Sequence, residues 1–458
     1  MLLDPIFERF ATDSPVCVML RATLEHGLAP EPLDQLFAAT ADQQYTRELL
    51  FSTLVDLMGS VVCRIRPSLH AAYQARPQPL PVSLKAVYAK LERLEPGISA
   101  ALVHHTAARW GPLIAEMGGE VPPVLPGYRV RILDGNHLAG TEHRLKELRA
   151  TAAGALPGQS LVVLDPAHLL ITDLFPCEDG HAQERAILPE VLDAVQPGDL
   201  WVADRNFCTT DFLFGIAARQ ACFLIRQHQA TLHWDAVGEP CCLGRIDTGT
   251  VYARAGWLTD ASGQELRVRR LTVVLDEPTR DGDAEIHLVT NVPVADADAC
   301  VLAVLYRKRW TLETAFQELT VHLACEVNTL GYPKAALFGF SVAVVAYNAL
   351  AVLKASLRAV HGVQKVQEEV SSYYLAEEVS GTYRGMMIAL PAEQWKAFRE
   401  LPLPQFAGVL KELASRVRLA AFRKHPRGPK KKPPQRPKNA KQKHVSTARI
   451  LAKRKKQT

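Results

Sequence analysis

The sequence predicts an α/β protein whose sheet-forming middle region lies between two helical regions. Apolar residues recur at helical spacing before residue 120, the pattern becomes strand-like from Tyr128, and short alternating runs separated by Gly, Asp and Pro follow Arg226. We therefore predict a helical amino-terminal domain, a mixed core with a β-rich insertion, a helical carboxy-terminal domain and a disordered basic tail. The predicted bounds are 1–125, 126–360 with the insertion at about 227–285, 361–422 and 423–458.

Length and composition agree with this division. A chain of 458 residues with 48% hydrophobic content can bury a large core and form two or three domains. The nine cysteines show neither CxxC pairs nor zinc-ligand spacing, which indicates reduced thiols in a cytoplasm. The first residues lack the basic and then apolar layout of a signal peptide. We expect a cytoplasmic globular protein.

The amino-terminal region is predicted to be helical throughout. Tyr45 to Arg66 carries apolar residues at helical spacing, and Ser83 is a suitable cap for a helix over Leu84 to Leu94. Pro67 and the Pro-rich stretch 76–81 separate the helices. No recognition helix is evident, so a structural bundle and a DNA-binding or assembly domain both remain open.

The middle region begins with a fixed order of elements. The pattern predicts three strands, a helix, a strand, a helix and a strand, which is the order of the ribonuclease-H-like fold. In that fold the first and fourth strands are neighbours, so Asp134 and Asp204, which follow them, would lie side by side. The predicted elements are Tyr128 to Leu133, Ser160 to Leu164, Leu169 to Phe175, Glu184 to Val195, Leu200 to Ala203, Thr209 to Arg219 and Cys222 to Ile225.

Two later segments complete the folded part. Val251 to Leu258 and Leu266 to Leu275 read as strands of the insertion, which accounts for the long gap between Asp204 and Glu313. Ala335 to Leu353 contains no charged residue and is long enough for a membrane span. Because polar residues dilute it, we predict a buried core helix instead.

The basic charge is concentrated in the tail. Residues 423–458 contain 15 Lys and Arg and no acidic residue, so the remaining chain carries 53 − 15 = 38 basic against 48 acidic side chains. Pro-rich and Lys-rich sequence, including Lys430, Lys431 and Lys432, cannot bury a core and is predicted to be disordered. It would bind DNA through counterion release, or act only as a solubilising tail.

The segment from Leu305 to Glu313 is the most informative of the chain. At roughly 100° per residue on one helix, Tyr306, Arg309 and Glu313 fall within an arc of about 60°. Together with Asp134 and Asp204, Glu313 gives three carboxylates on two strands and a helix. Each taken alone is better explained as a turn former or a solvated ion pair. Taken together, they predict a two-metal phosphodiester site.

The spacing of Tyr306, Arg309 and Glu313 resembles the YREK signature of bacterial insertion-sequence DDE transposases of the IS-four group. The contexts of Asp134 and Asp204 resemble that family in order and style, over roughly residues 126 to 360. One position departs from the signature, because Thr320 stands where the family has Lys.

The resemblance implies a transposase that binds the inverted-repeat ends of its element, cleaves them and joins them to target DNA. Asp134, Asp204 and Glu313 would hold two Mg²⁺ ions, for which Mn²⁺ can substitute, while Tyr306 and Arg309 hold the scissile strand. Double-stranded DNA and a second copy of the chain in the end complex are the implied partners. No membrane and no small-molecule cofactor are expected.

Two other classes remain open. A nuclease of the same fold would keep the three carboxylates but would need neither the insertion nor the basic tail. A domesticated DNA-binding protein without transposition activity would keep the helical domain and the tail while losing a carboxylate. All three carboxylates are present, which argues against the latter.

Overall fold

A computed structural model describes residues 5–76, 78–228, 232–279, 282–425 and 443–455. The amino-terminal region consists of helices, as predicted. Proline in the first turn begins α2, α3 and α7, while the Ser68 and Ser83 side chains cap α5 and α6. The helices are α1 Pro5–Asp13, α2 Pro15–Gly27, α3 Pro30–Thr40, α4 Phe51–Val62, α5 Leu69–Gln74, α6 Leu84–Leu91 and α7 Pro96–Met117.

The middle region forms one nine-stranded mixed sheet and the helices around it. The large mixed sheet is compatible with the ribonuclease-H-like arrangement of a DDE transposase domain. The strands are β1 Arg129–His137, β2 Gly154–Leu156, β3 Gln159–Asp165, β4 Leu170–Cys177, β5 Asp199–Ala203, β6 Cys222–Arg226, β7 Asp235–Ile246, β8 Gly249–Thr259, β9 Glu265–Leu275 and β10 Glu285–Thr290; the helices are α8 Leu188–Asp193, α9 Thr210–Ala218, α10 Ala299–Tyr306, α11 Trp310–His322 and α12 Pro333–His361.

The sheet confirms the predicted neighbourhood of the first and fourth core strands. Its order is β4-β3-β1-β5-β6-β10-β9-β8-β7. β1 pairs antiparallel with β3 and parallel with β5, so β1 and β5 run toward the same edge of the sheet. Asp204 follows β5 as predicted, but Asp134 lies within β1, which continues to His137. The predicted helix over Glu184 to Val195 is shorter than expected. A 3₁₀ turn covers Glu184–Ile187, and α8 begins only beside Pro189, which favours the first turn of a helix.

The β-rich insertion extends the core sheet instead of forming a separate layer. β10 pairs antiparallel with β6, and β9, β8 and β7 follow as an antiparallel meander. The predicted runs Val251 to Leu258 and Leu266 to Leu275 lie within β8 and β9. The turn between β7 and β8 reaches back toward the end of α10, where Asp247 pairs with Arg307 at 3.1 Å. The insertion is thereby anchored beside the Tyr306–Glu313 segment.

The long apolar helix α12 is the centre of the largest hydrophobic core. Of the described residues, this helix alone is long and apolar enough to cross a membrane, and 94% of its apolar window is buried inside the protein. Phe51 of α4, Trp110 of α7 and Leu164 of β3 belong to the same cluster as Phe338 of α12. A second cluster lies between α8, α9 and the opposite face of the sheet.

The carboxy-terminal region adds four helices to the large core. These helices are α13 Val363–Glu369, α14 Ser372–Ala389, α15 Ala392–Lys396 and α16 Leu403–Arg416. Leu375, Trp395 and Leu410 are buried in the same cluster as the amino-terminal helices. The two helical regions and one face of the sheet therefore share a hydrophobic core, and the predicted domain bounds stay a prediction.

The prediction of a disordered tail over 423–458 is wrong for its last described part. Residues 443–455 contain a strand, β11 His444–Ser446, and a helix, α17 Thr447–Lys455. β11 pairs in parallel with β2, and the apolar side chains of Val445, Ile450 and Leu451 pack against a small cluster around Leu148. A few apolar residues within a basic segment suffice for docking because a partner strand and an apolar surface are already in place.

Candidate active site

The structure brings Asp134 and Asp204 to the same edge of the sheet. Leu133 of β1 is the register partner of Ala203 of β5, so the aspartates are the next residues along two parallel strands. Both strands run through the core, and every residue of β5 is buried. Asp204 leaves its strand at once, and its Oδ1 atom accepts a hydrogen bond from the Asn206 backbone N–H at 2.7 Å. That bond fixes the orientation of the Asp204 carboxylate.

The environment of Asp134 disfavours the ionised form of its carboxylate. Burial raises its pKa, the nearby charges of Asp204 and Glu184 add to the rise, and the resulting pKa is about 6. The Arg309 guanidinium and the Gly135 backbone N–H oppose this shift. The upward shift wins because burial is the largest of these contributions and the neighbouring carboxylates add to it. A site with this excess of negative charge attracts cations.

Arg309 joins two of the three predicted carboxylates. Its Nη1 atom donates to Asp134 Oδ2 at 2.8 Å, and its Nη2 atom donates to Glu313 Oε1 at 2.8 Å. The Arg309 side chain is only 14% exposed, whereas that of Glu313 is 50% exposed. The arrangement therefore has Arg309 between Asp134 and Glu313, with Glu313 at the rim.

The sequence suggested that Tyr306, Arg309 and Glu313 lie at the opening of one helix. The structure shows that this expectation is wrong. α10 ends at Tyr306, a 3₁₀ turn covers Arg307–Arg309, and Glu313 lies in the first turn of α11. The turn presents Arg307 to Asp247 in the insertion while Arg309 reaches Asp134 in the core. Tyr306 is half-buried beside them, and burial raises its pKa.

The donor chemistry of the site suits a hard divalent cation, because carboxylate oxygens are the preferred ligands of Mg²⁺. Asp134 and Asp204 are adjacent on their strands, but Glu313 is engaged by Arg309. Across residues 5–455, apart from the undescribed gaps, no group of three or more His, Cys, Asp or Glu side chains is close enough to hold a metal ion. Asp134 and Asp204 therefore have the chemistry of metal ligands, but Asp134 Oδ2 and Glu313 Oε1 would both have to leave Arg309 before they could bind a metal ion.

Sequence reasoning missed Glu184, which lies against the same site. A side-chain carbon at Gly135 would come within 2.0 Å of Glu184 Oε1, so this carboxylate rests directly on the backbone next to Asp134. Glu184 Oε2 accepts from Asn206 Nδ2 at 3.3 Å, and Oε1 lies 3.9 Å from His137 Nδ1. The available signal was weak: an acidic residue at the start of a predicted helix and a glycine directly after Asp134.

Four further positions were singled out from the sequence, and none of them is shown in contact with the three carboxylates. Thr320 is exposed on α11, where its hydroxyl donates to the Phe316 carbonyl at 2.9 Å. Lys430, Lys431 and Lys432, predicted to contact DNA, lie outside the described residues.

Comparison with known proteins supports the class of site described above. Residues 125–348 match a family model described as the transposase DDE domain, a span that contains Asp134, Asp204, Tyr306, Arg309 and Glu313. No curated protein matches the chain. The matched span covers β1 to β10, the insertion and most of α12. The match over residues 125–348 supports a DDE transposase.

Proposed function

We propose that this protein is a transposase that binds the inverted-repeat ends of an insertion sequence of the IS-four group and carries out metal-dependent cleavage and joining of DNA. The observation that carries the proposal is the adjacency of Asp134 and Asp204 on neighbouring strands, with Glu313 linked to Asp134 through Arg309. The match to the transposase DDE domain supports the same class of enzyme.

Asp134, Asp204 and Glu313 would hold two Mg²⁺ ions, and Mn²⁺ would substitute. Bound metal would supply activation of the attacking oxygen and stabilisation of the leaving oxygen. Arg309 neutralises Asp134 and Glu313 when they have no other cation beside them. Once it leaves them, its planar guanidinium is free for a bidentate contact with a phosphate of the scissile strand, beside Tyr306.

The helical regions and the tail have proposed roles outside the chemistry. We assign the amino-terminal region 1–125 to binding of the element ends or to assembly, and region 361–422 to contacts between two copies in the end complex. Lys430, Lys431 and Lys432 would add phosphate contacts that do not depend on sequence. The core between them, residues 126–360, would then carry the reaction.

The test compares Asp134→Ala, Asp204→Ala and Glu313→Ala with the wild type on DNA carrying the ends of the element. Each variant should lose cleavage by at least about 1000-fold, because several kcal/mol of charge stabilisation disappear with the metal ligands. DNA binding in a mobility-shift assay should remain, because it depends mainly on cationic contacts. Asp193→Ala, an exposed position at the end of α8, serves as the matched control.

A second assay separates a transposase from a nuclease of the same fold. A donor plasmid carrying both ends is incubated with target DNA and Mg²⁺, and joined products are scored. Cleavage without joining would favour the nuclease. Binding without cleavage by the wild type would favour a domesticated DNA-binding protein. Near-normal cleavage by one of the three alanine variants would remove that residue from the proposed site.

A further inference from the structure

The carboxy-terminal segment 443–455 docks beside the candidate active site. β11 adds to β2 in parallel, and the Gly154 N–H donates to the Lys443 carbonyl at 2.9 Å. β2 belongs to the connection between β1 and β3 that begins just after His137, at the same end of β1 as Asp134. The docked segment therefore packs on the connection that leaves β1 at the end carrying Asp134, although it is more than 300 residues away along the chain from Asp134.

Packing holds this segment in place. Ser446 and Thr447 are buried, at 2% and 0% exposure, and Ile450 and Leu451 pack on the cluster formed by Leu145, Leu148 and Ala155. At the far end of α17, Arg454 makes an ion pair with Glu147. A purely solvated tail would bury none of these side chains.

One side chain of α17 connects the segment to the loop that follows β4. Arg449 Nε donates to Asp179 Oδ2 at 2.7 Å, and Arg449 Nη2 donates to the His181 carbonyl at 3.2 Å. From the other side, Gln159 Nε2 donates to the Ala182 carbonyl at 2.6 Å. The loop is thus held between β3 and α17, two residues before Glu184.

Glu184 connects the 179–182 loop to the carboxylate site. Its carboxylate rests on Gly135, next to Asp134, and accepts a hydrogen bond from the Asn206 side chain. The Asn206 backbone in turn donates to Asp204. The connection from Arg449 through the 179–182 loop and Glu184 to Asn206 ends at the carboxylate of Asp204.

We propose that residues 443–455 are a positioning element of the active site, which holds the 179–182 loop through Arg449 and so fixes Glu184, Asn206 and the Asp204 carboxylate. Glu184 and Arg449 are positioning residues in this scheme. The effect on cleavage rests on the proposed function, but the docking and its effect on the loop do not. Residues that orient metal ligands typically change metal affinity or activity by about 10–100-fold when removed.

The first experiment compares Arg449→Ala with Arg454→Ala in the full-length protein. Both remove one cation and an ion pair from α17, but the ion pair of Arg449 is with Asp179 in the 179–182 loop, whereas that of Arg454 is with Glu147. Hydrogen exchange is followed in peptides covering 178–187 and 204–208. Arg449→Ala should accelerate exchange in both peptides and slow cleavage of pre-bound DNA at saturating Mg²⁺ by about tenfold. Arg454→Ala should leave both readouts close to those of the wild type.

The second experiment separates positioning from a direct DNA contact. Arg449→Asp should be defective by either route. Adding Asp179→Arg restores an ion pair of reversed polarity. If Arg449 acts through the loop, hydrogen exchange should become slow again and the cleavage rate should recover. If Arg449 acts by binding phosphate, an aspartate at that position stays defective in the double variant.

Three results would overturn the inference. These are unchanged exchange in Arg449→Ala, equal effects of Arg449→Ala and Arg454→Ala, and a double variant that recovers neither readout. A wild-type protein that binds DNA but does not cleave it would overturn the proposed function alone, because the exchange measurements would still decide whether the segment holds the loop.

Discussion

The two ends of the β1–β5 pair use similar residues in opposite ways. At the end where the strands begin, Asp199 and Asp165 face Arg129, Arg131 and His168. At the end where they finish, Asp134 and Asp204 lie near the buried guanidinium of Arg309, and Glu184 adds a further carboxylate beside Asp134. The first end is balanced in charge and the second is rich in acid.

The pKa values follow this difference. Burial alone would raise the pKa of Asp165, but the hydrogen bond from His168 and the charge of Arg131 bring it below its usual range. Burial raises the pKa of Asp134 to about 6, and its cation does not compensate. A balanced cluster stabilises the fold, whereas an acid-rich cluster costs stability that an incoming cation can restore.

Removing the acid at the balanced end should have the largest effect on stability. Asp199 is 1% exposed and accepts from Arg129 Nε at 2.6 Å and from the Gln196 N–H at 2.8 Å. Asp199→Ala leaves these donors without their acceptor, so we expect a loss of about 3 kcal/mol in urea unfolding. Cleavage per folded molecule should be unchanged at low temperature. Lost cleavage with intact stability would break the comparison, because it would make this end functional.

Neutralising an acid at the end where the strands finish should increase the stability of the fold. The folded-state pKa of Asp134 is about 6, above its ordinary 3.8, so the folded protein is destabilised by the ionised form at neutral pH. Asp134→Asn should raise the unfolding free energy by about 1–3 kcal/mol at pH 7.5 in EDTA. The gain should shrink as pH falls through 6 and vanish below about 4.

Measuring unfolding with and without Mg²⁺ tests whether Asp134 binds the metal ion. Excess Mg²⁺ should raise the unfolding midpoint of the wild type at pH 7.5 and have little effect on Asp134→Asn, because ligands of the folded state stabilise it. Equal responses of both proteins would place metal binding elsewhere.

Charge in the tail tests how DNA approaches the acid-rich end. This end repels phosphate unless cations outside the sheet compensate, and Lys430, Lys431 and Lys432 are predicted to be among them. Replacing all three with Ala should reduce the slope of log affinity against log salt by about 0.9 per lost contact, equally for element ends and unrelated DNA. An unchanged slope in a salt titration would remove these lysines from the DNA interface.

The smallest expected effect is that of a single added cation near the acid-rich end. Thr320 is exposed on α11, seven residues after Glu313, so a lysine there can reach solvent without burial. Thr320→Lys should increase the salt slope by about 0.9 and tighten end binding a few-fold, with no change in metal requirement. Thr320→Gln serves as the uncharged control of similar length. A change in the Mg²⁺ dependence of cleavage would show that this position acts on metal instead.

The two ends of the chain show which structural features local sequence patterns can predict and which they cannot. The helical periodicity within Tyr45–Arg66 and the Ser83 cap are local features, and the structure places α4 and α6 there. The tail was predicted to be disordered because its composition is basic and Pro-rich. Its last described residues instead form β11 and α17, because β2 and the cluster around Leu148 offer a partner that no local pattern shows.

The sequence by itself determined the order of strands and helices, the neighbouring positions of Asp134 and Asp204, and the place of the insertion. The order of elements follows from the periodicity of apolar residues, whereas the neighbouring positions of the two aspartates and the place of the insertion follow from the ribonuclease-H-like fold that this order and the family resemblance imply. Only the tertiary structure decided that Arg309 joins Asp134 to Glu313, that Glu184 rests on Gly135, and that Arg449 holds the 179–182 loop. These contacts join residues far apart in the chain, and their energies depend on distance, burial and charge balance, which exist only once the chain has folded.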